Sequence, residues 1–409
     1  MTARTLFIVI AGAGVACGAA AARGQNSWRF VARDLSEQVG ELTTLEGGAV
    51  SFIDGHGRSQ RRPVADFVAV VHELPPEERL PRELPWITRQ LDRFSPGVRE
   101  DELEDIKAFV GRLELTDGQV WVGTPLSASG QSVSWFVEDA LVLSVGLERI
   151  VSAELYGPLG PVARSDWDAV GDLVALRNGD VLDGFVDSID EQLRVESGGE
   201  VITMPLERVS GVLLANPSEA PEGMVVRTTG GSIITVDDVQ FSMTGEMTAV
   251  LDHEGDTSEI TLPGHRVRSV LFAPNAVAPL AGIEPAEVSS ADELAPGRRL
   301  ETEVDEGVGF DSISLRGPVA VRWSFARPAS RFAATVTLPP AMWAWGDCEV
   351  VVLTDDGREV LRERLWAERP SVEINVPLAG LAGLRVEIES GRGGSVQDRV
   401  VLTRPVVAW

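Results

Sequence analysis

Leu113-Glu-Leu-Thr-Asp-Gly118-Gln-Val-Trp-Val-Gly123 decides how the middle of this chain reads, because the same pattern returns twice. Val174-Ala-Leu-Arg-Asn-Gly179-Asp-Val-Leu-Asp-Gly184 repeats it closely, and Val226-Arg-Thr-Thr-Gly-Gly231-Ser-Ile-Ile-Thr-Val236 more faintly. Apolar residues alternate on both sides of a glycine-bearing turn, which is the period of half-buried strands. The Asp-Gly and Asn-Gly pairs suit two-residue type I′ turns, in which both central residues take positive φ. Each copy also closes alike, with Leu147-Glu-Arg-Ile150, Leu206-Glu-Arg-Val209 and Gly264-His-Arg-Val267 each leading into an apolar run. Pro63-Val-Ala-Asp-Phe67 stands in the closing position of an earlier stretch, so 26–74 reads as a diverged first copy.

A unit of about 45 to 50 residues with about five strands exposes its edges unless it curls, so a small barrel is the expected form. The repeats resemble Sm-like and SH3-like small barrels. The resemblance carries the fold only, since the RNA binding of Sm proteins needs clustered cations. This chain has 409 residues and a formal net charge of −26. Lys107 is its only lysine. Nucleic acid is therefore excluded as an expected partner.

The fold class that follows is mostly β: tandem small β-barrel repeats, then a C-terminal β-sandwich of jelly-roll type, with a short helical insertion near 86–110. The expected divisions are a signal peptide over 1–22, β units at 26–74, 111–160, 170–216 and 222–273, and a helical insertion at 75–110. A Pro- and Ala-rich linker at 274–297 then leads to the sandwich at 298–409. Arg4, the apolar run 6–16 and the small residues Ala20, Ala21 and Ala22 form the signal pattern, which predicts export to the periplasm or outside the cell. Val15-Ala-Cys17 offers the alternative of a lipid anchor on Cys17. No segment is apolar for 18 residues, so no transmembrane span is expected. With the signal removed Cys348 is the remaining cysteine, which excludes an intramolecular disulfide and reads as a small buried apolar group.

From 298 onward short strands are predicted at 312–315, 319–325, 332–338, 348–353, 358–365, 371–376, 383–388 and 399–402. Half of the ten tryptophans lie beyond Val319. The strand at 312–315, the Phe332-Ala-Ala-Thr-Val run, and Gly346-Asp-Cys-Glu-Val-Val-Val leading to Asp356-Gly357 come in a recognisable order. Val372-Glu-Ile-Asn-Val376, Leu384-Arg-Val-Glu-Ile388, Asp398 and Trp409 complete it. Together these resemble the novel carbohydrate-binding module family associated with glycosyl hydrolase family 98, over the last 100 to 130 residues. The resemblance implies a jelly-roll-like module that binds glycan, although Asp398 lacks the nearby tryptophan usual in the family.

A sugar site needs an exposed aromatic platform and fixed polar groups beside it. Trp343 and Trp345, two apart after Pro339-Pro340, are the first candidates, with Trp366 next. Arg322, Arg364 and Asp398 are the candidate polar partners. Trp323, alternating with Val321 and Phe325, reads as core. The four histidines have no metal-ligand spacing, and neither a nucleophile elbow nor a phosphate loop occurs. No cofactor is expected. Asp252-His-Glu-Gly-Asp256 carries carboxylates for calcium but lacks a full loop pattern, so a solvated hairpin is expected there. The sequence thus points to an exported non-catalytic protein whose partner is a polysaccharide or other glycan. The rival is a structural or interaction component whose partner is an envelope protein.

Overall fold

A computed structural model describes residues 27–73, 110–137, 141–156, 159, 170–190, 192–219, 221–253, 256–289, 301–303, 312–392, 394 and 398–409. The expected signal peptide with Cys17 and the helical insertion, except Val110, lie outside those residues.

Four β units come first. Strands β1 (Ser27–Ala32), β2 (Glu37–Glu46), β3 (Ala49–Asp54), β4 (Ser59–Pro63) and β5 (Phe67–His72) make the first, and β6 (Gly111–Leu115), β7 (Val120–Ser129), β8 (Ser132–Val137), β9 (Leu141–Gly146) and β10 (Ile150–Glu154) the second. The third holds β11 (Asp172–Leu176), β12 (Val181–Ile189), β13 (Gln192–Ser197), β14 (Glu200–Pro205) and β15 (Val209–Leu213). The fourth holds β16 (Met224–Thr228), β17 (Ile233–Val236), β18 (Asp238–Phe241), β19 (Glu246–His253), β20 (Asp256–Pro263) and β21 (Val267–Leu271). In each unit the strands meander antiparallel and the last returns to pair with the first.

The second strand of a unit pairs with the first through its early residues and with the third through its later ones. It must bend where it changes partner, and Gly40, Gly123 and Gly184 occupy that point in the first three units. In the fourth the strand breaks instead, between β17 and β18 at Asp237. One backbone bond recurs in all four copies, from the first turn to the 3-10 turn before the last strand. It is Arg33 N–H to Asp66 O at 3.0 Å, Thr116 to Arg149 at 2.9 Å, Arg177 to Arg208 at 2.9 Å, and Thr229 to Arg266 at 2.8 Å.

The type I′ expectation is corrected. Gly118 N–H bonds Leu115 O at 3.1 Å and Leu115 N–H bonds Gln119 O at 2.9 Å, and the same pair of bonds closes 176–180 and 228–232. Only the glycine takes positive φ: 76° at Gly118, 91° at Gly179 and 95° at Gly231. This is a four-residue turn with one left-handed glycine closing a bulge. In the first unit Leu35 (φ 59°) holds that position, with Leu35 N–H on Ala32 O at 2.9 Å. Its left-handed strain, about 1–2 kcal/mol, is offset by burial of its side chain among Val31, Val68, Ala69 and Val71.

Units join edge to edge. β5 pairs β21, β10 pairs β15 and β17 meets β7 at Ile233 and Val120, so the four become one 21-stranded sheet around one continuous apolar core.

The sandwich adds β22 (Val277–Pro279), β23 (Pro285–Ser289), β24 (Glu301–Glu303), β25 (Ser312–Arg316), β26 (Val319–Thr337), β27 (Cys348–Thr354), β28 (Glu359–Leu365), β29 (Ser371–Ser390) and β30 (Arg399–Ala408). Two expectations change here. The strands predicted at 319–325 and 332–338 are one strand, as are those at 371–376 and 383–388. The early part of β26 pairs with the late part of β29 and vice versa, so both strands cross from one layer to the other. The linker over 274–297 is also corrected over its described part. β22 pairs β30 and β23 pairs β26, because Val277 and Leu280 are apolar groups buried under the sandwich. The outer face of the β29–β26–β30 layer rests on the first and fourth units through Leu35, Val71, Leu271, Val277 and Val406. Among the described residues no helix is long and apolar enough to cross a membrane.

Candidate functional site

Pro339 and Pro340 stop β26, since proline gives no ladder donor. The chain then makes a single 3-10 turn, Pro340–Met342, that carries Trp343 to Trp345 out at the sandwich rim. Gly346 N–H closes it on Met342 O at 2.7 Å. Trp345 is 71% exposed and Trp343 43%. The Trp343 indole N–H donates to Leu338 O at 2.9 Å, which fixes its ring.

Asp347 anchors the end of this loop. Arg364 grips its carboxylate with two bonds, Nε to Oδ1 and Nη2 to Oδ2, both 2.6 Å, and Arg392 N–H adds a third at 3.0 Å. These donors hold the Asp347 carboxyl below the usual carboxylate range, the Arg364 bond being the largest cause. The Arg364 guanidinium lies 5.4 Å from the Trp366 ring centroid, within cation–π reach.

The candidates of the sequence therefore separate. Trp343, Trp345, Arg364 and Trp366 are brought to one rim through Asp347. Arg322 is not: it pairs with Glu287 at 3.5 Å on the outer face between β23 and β29. Asp398 is corrected as a ligand contact, because it is 3% exposed. Its Oδ1 accepts the Asp347 N–H at 3.3 Å and its Oδ2 has no hydrogen-bond partner. It braces the loop from beneath. Asp347 and Arg392 were missed by sequence reasoning; Gly346-Asp-Cys348 directly after the tryptophans was the available signal. Cys348 is buried, and burial pushes its thiol up to about 12, with Asp398 and Asp347 adding to the effect. Trp409 packs edge-on against Phe325 at 5.6 Å. No group of three or more His, Cys, Asp or Glu that could hold a metal occurs among the described residues, and the side chains of 252–258 lie outside them.

Burial raises Asp398 to about 6, opposed by the Asp347 N–H and reinforced by the Asp347 charge. A raised folded pKa means that the folded state keeps a proton which the unfolded state has released. The contribution of Asp398 to stability is thus fully present below about pH 4 and is lost as pH rises to about 6, by about 2–3 kcal/mol. Asp347 acts with the opposite sign and in a lower window, its contribution failing only as pH drops below the ordinary carboxylate range. Asp398→Asn is expected to flatten the pH 4–6 segment of denaturant-measured stability and to gain about 1 kcal/mol or more at pH 7. An unchanged pH profile would contradict this account of Asp398.

No family model matches the chain and no curated protein matches it. Among solved structures it is similar to the CBM51 carbohydrate-binding module from Clostridium perfringens GH95 in complex with methyl-galactose. That likeness has 13% identity and a TM-score of 0.27, over 32% of this chain and 99% of that one. It is similar to tandem CBM51 modules of Sp3GH98, the family 98 glycoside hydrolase from Streptococcus pneumoniae SP3-BS71, at 8% identity and TM-score 0.28, over 58% of this chain and 87% of that one. A third similarity is to CBM51-2 in complex with GlcNAc and INT domains from Clostridium perfringens ZmpB. It has 9% identity and TM-score 0.28, and covers 45% of this chain and 43% of that one. Likeness at this level assigns neither a ligand nor a site.

Proposed function

We propose that this is an exported, non-catalytic protein whose C-terminal sandwich binds polysaccharide at the Trp343–Trp345 rim, held out by the β units. One observation carries the reading: a Trp345 ring that is largely exposed on a loop locked by Asp347 and Arg364. A largely exposed indole on a fixed loop supplies a stacking surface for the apolar face of a sugar ring at little entropic cost. Arg364, which keeps N–H donors beyond the two that Asp347 takes, and Arg392 supply partners for hydroxyls.

Retention by immobilised polysaccharides, followed by titration with the best one, tests this. Trp345→Ala is expected to weaken binding by about thirtyfold, the effect of removing an aromatic hot spot, with stability unchanged within about 0.5 kcal/mol. Wild-type-like binding by Trp345→Ala, or no retention on any polysaccharide, would sink the proposal. A second reading, an envelope protein as partner of the barrels, is favoured by the outer face of the third unit. Phe185 and Val201 flank Glu196 in one row there and are 63% and 59% exposed.

A further inference from the structure

A cavity of about 290 Å³ lies where the sandwich meets the first β unit, and neither Trp343 nor Trp345 lines it. Its floor is apolar: Val31, Leu35, Val68, Val71, Val277 and Val406. Leu35, whose positive φ belongs to its hairpin turn, lines this space together with Arg404, a second non-glycine residue with positive φ (50°). Strain of that kind is maintained by its surroundings and gathers at sites that bind. Junctions between folded units are also common places for small-ligand pockets.

The charges of the walls are unevenly used. Arg29 holds Glu37 at 2.8 Å and Glu73 at 2.5 Å, so both carboxylates are well served. Arg404 reaches the same two acids only at 3.3 and 4.0 Å. Its Nε–H is enclosed with no hydrogen-bond partner. Glu373, across the cavity, has no ion-pair partner among the described residues. One cation and one anion are therefore incompletely paired. The pairing register places Glu373 beside Thr335 and Thr335 beside Thr403, the neighbour of Arg404. The two charged residues are thus two strands apart, roughly 10 Å between backbones. Thr335, Thr403 and Asn375 lie between or beside them as neutral hydrogen-bonding groups.

We infer that this junction cavity binds a small zwitterion of dipeptide size, its carboxylate on Arg404, its ammonium on Glu373 and its aliphatic body on the valine floor. A ligand carrying both charges leaves the net charge of the cavity unchanged, whereas a singly charged one does not. Size sets the ceiling, since the space is at the lower end of the roughly 300–1,000 Å³ occupied by drug-sized ligands. The inference goes beyond the polysaccharide reading and does not depend on it.

Calorimetric titration of the full chain with L-valyl-L-leucine is the test. Saturable binding is expected at or below about 1 mM, and at least about tenfold weaker binding for both the N-acetyl and the C-amide forms. Glu373 is an exposed side chain, so Glu373→Gln leaves folding intact; it should weaken the free dipeptide about tenfold and leave the N-acetyl form unchanged. Arg404→Gln should do the converse, sparing the C-amide form. Trp345→Ala should bind the dipeptide like wild type, which separates this site from the tryptophan rim. No binding up to about 10 mM, equal binding of all three forms, or indifference to Glu373→Gln would overturn the inference.

Discussion

Trp323→Ala is expected to cost the sandwich about 3–5 kcal/mol, the range for removing a fully buried large aromatic side chain. Trp323 has no exposed surface and packs in the cluster with Val321, Phe325, Leu384 and Val386. It lies on the part of β26 that pairs with the late residues of β29, so both crossing strands lean on it. Its indole N–H is enclosed without a partner, so some of what its area contributes is offset by an unmade bond, about 1–3 kcal/mol. Trp323→Phe should then lose far less than the alanine variant, about 1 kcal/mol, because it keeps most of the ring and drops the stranded donor. Guanidinium unfolding with hydrogen-exchange protection across Val319–Thr337 reads both. Equal losses would mean that the N–H is satisfied, and a loss under about 1 kcal/mol for alanine would mean that the site collapses around the vacancy. Neither change should alter binding at the Trp345 rim in protein that remains folded.

What the sequence disclosed depends on how local each determinant is. The hairpin turns of the second and third units are local, and Gly118 and Gly179 announced them. The first copy was harder to see because Leu35 stands where the other units have glycine, and burial against distant residues maintains a conformation its own chemistry disfavours. Alternation identified Trp323 as core, since a period of two needs only neighbours in the chain. The same rule split β26 and β29, because the alternation lapses around Pro328 and around Gly380 although both strands turn a corner and continue. Pro274, Pro279 and Pro285 made a paired segment resemble a linker, since proline content reports local stiffness and is silent about what Leu280 packs against. For the candidate site, exposed tryptophans after a double proline were legible. The burial of Asp398, the clasp of Asp347 by Arg364 and the junction cavity all depend on residues brought together from separate strands.

Gly123→Ala should destabilise the β units by about 2–3 kcal/mol, the upper range for overpacking, although glycine-to-alanine in a strand would ordinarily gain. A methyl group there would sit 2.0 Å from Phe136 O and 3.1 Å from Trp135 Nε1. Neither neighbour can give way easily: Phe136 is in the β7–β8 ladder and Trp135 is fully buried. Gly40 and Gly184 face the same approach, 2.4 Å from Ile53 O and 2.4 Å from Glu196 O. Three copies thus keep glycine for closeness, at the bend where a strand changes partner. Gly179 separates this from backbone freedom. A Cβ at Gly179 meets open space and its φ is 91°, so Gly179→Ala should cost only the left-handed strain, about 1–2 kcal/mol. The fourth unit, which breaks its strand at Asp237, should accept Asp237→Ala within about 0.5 kcal/mol. Because all four units share one core, the Gly123→Ala loss should appear as a lower midpoint for the β units together, measured by denaturant unfolding, with hydrogen-exchange protection in the sandwich strand Val319–Thr337 retained. A stability equal to or above wild type would show that the second unit bends without needing that contact.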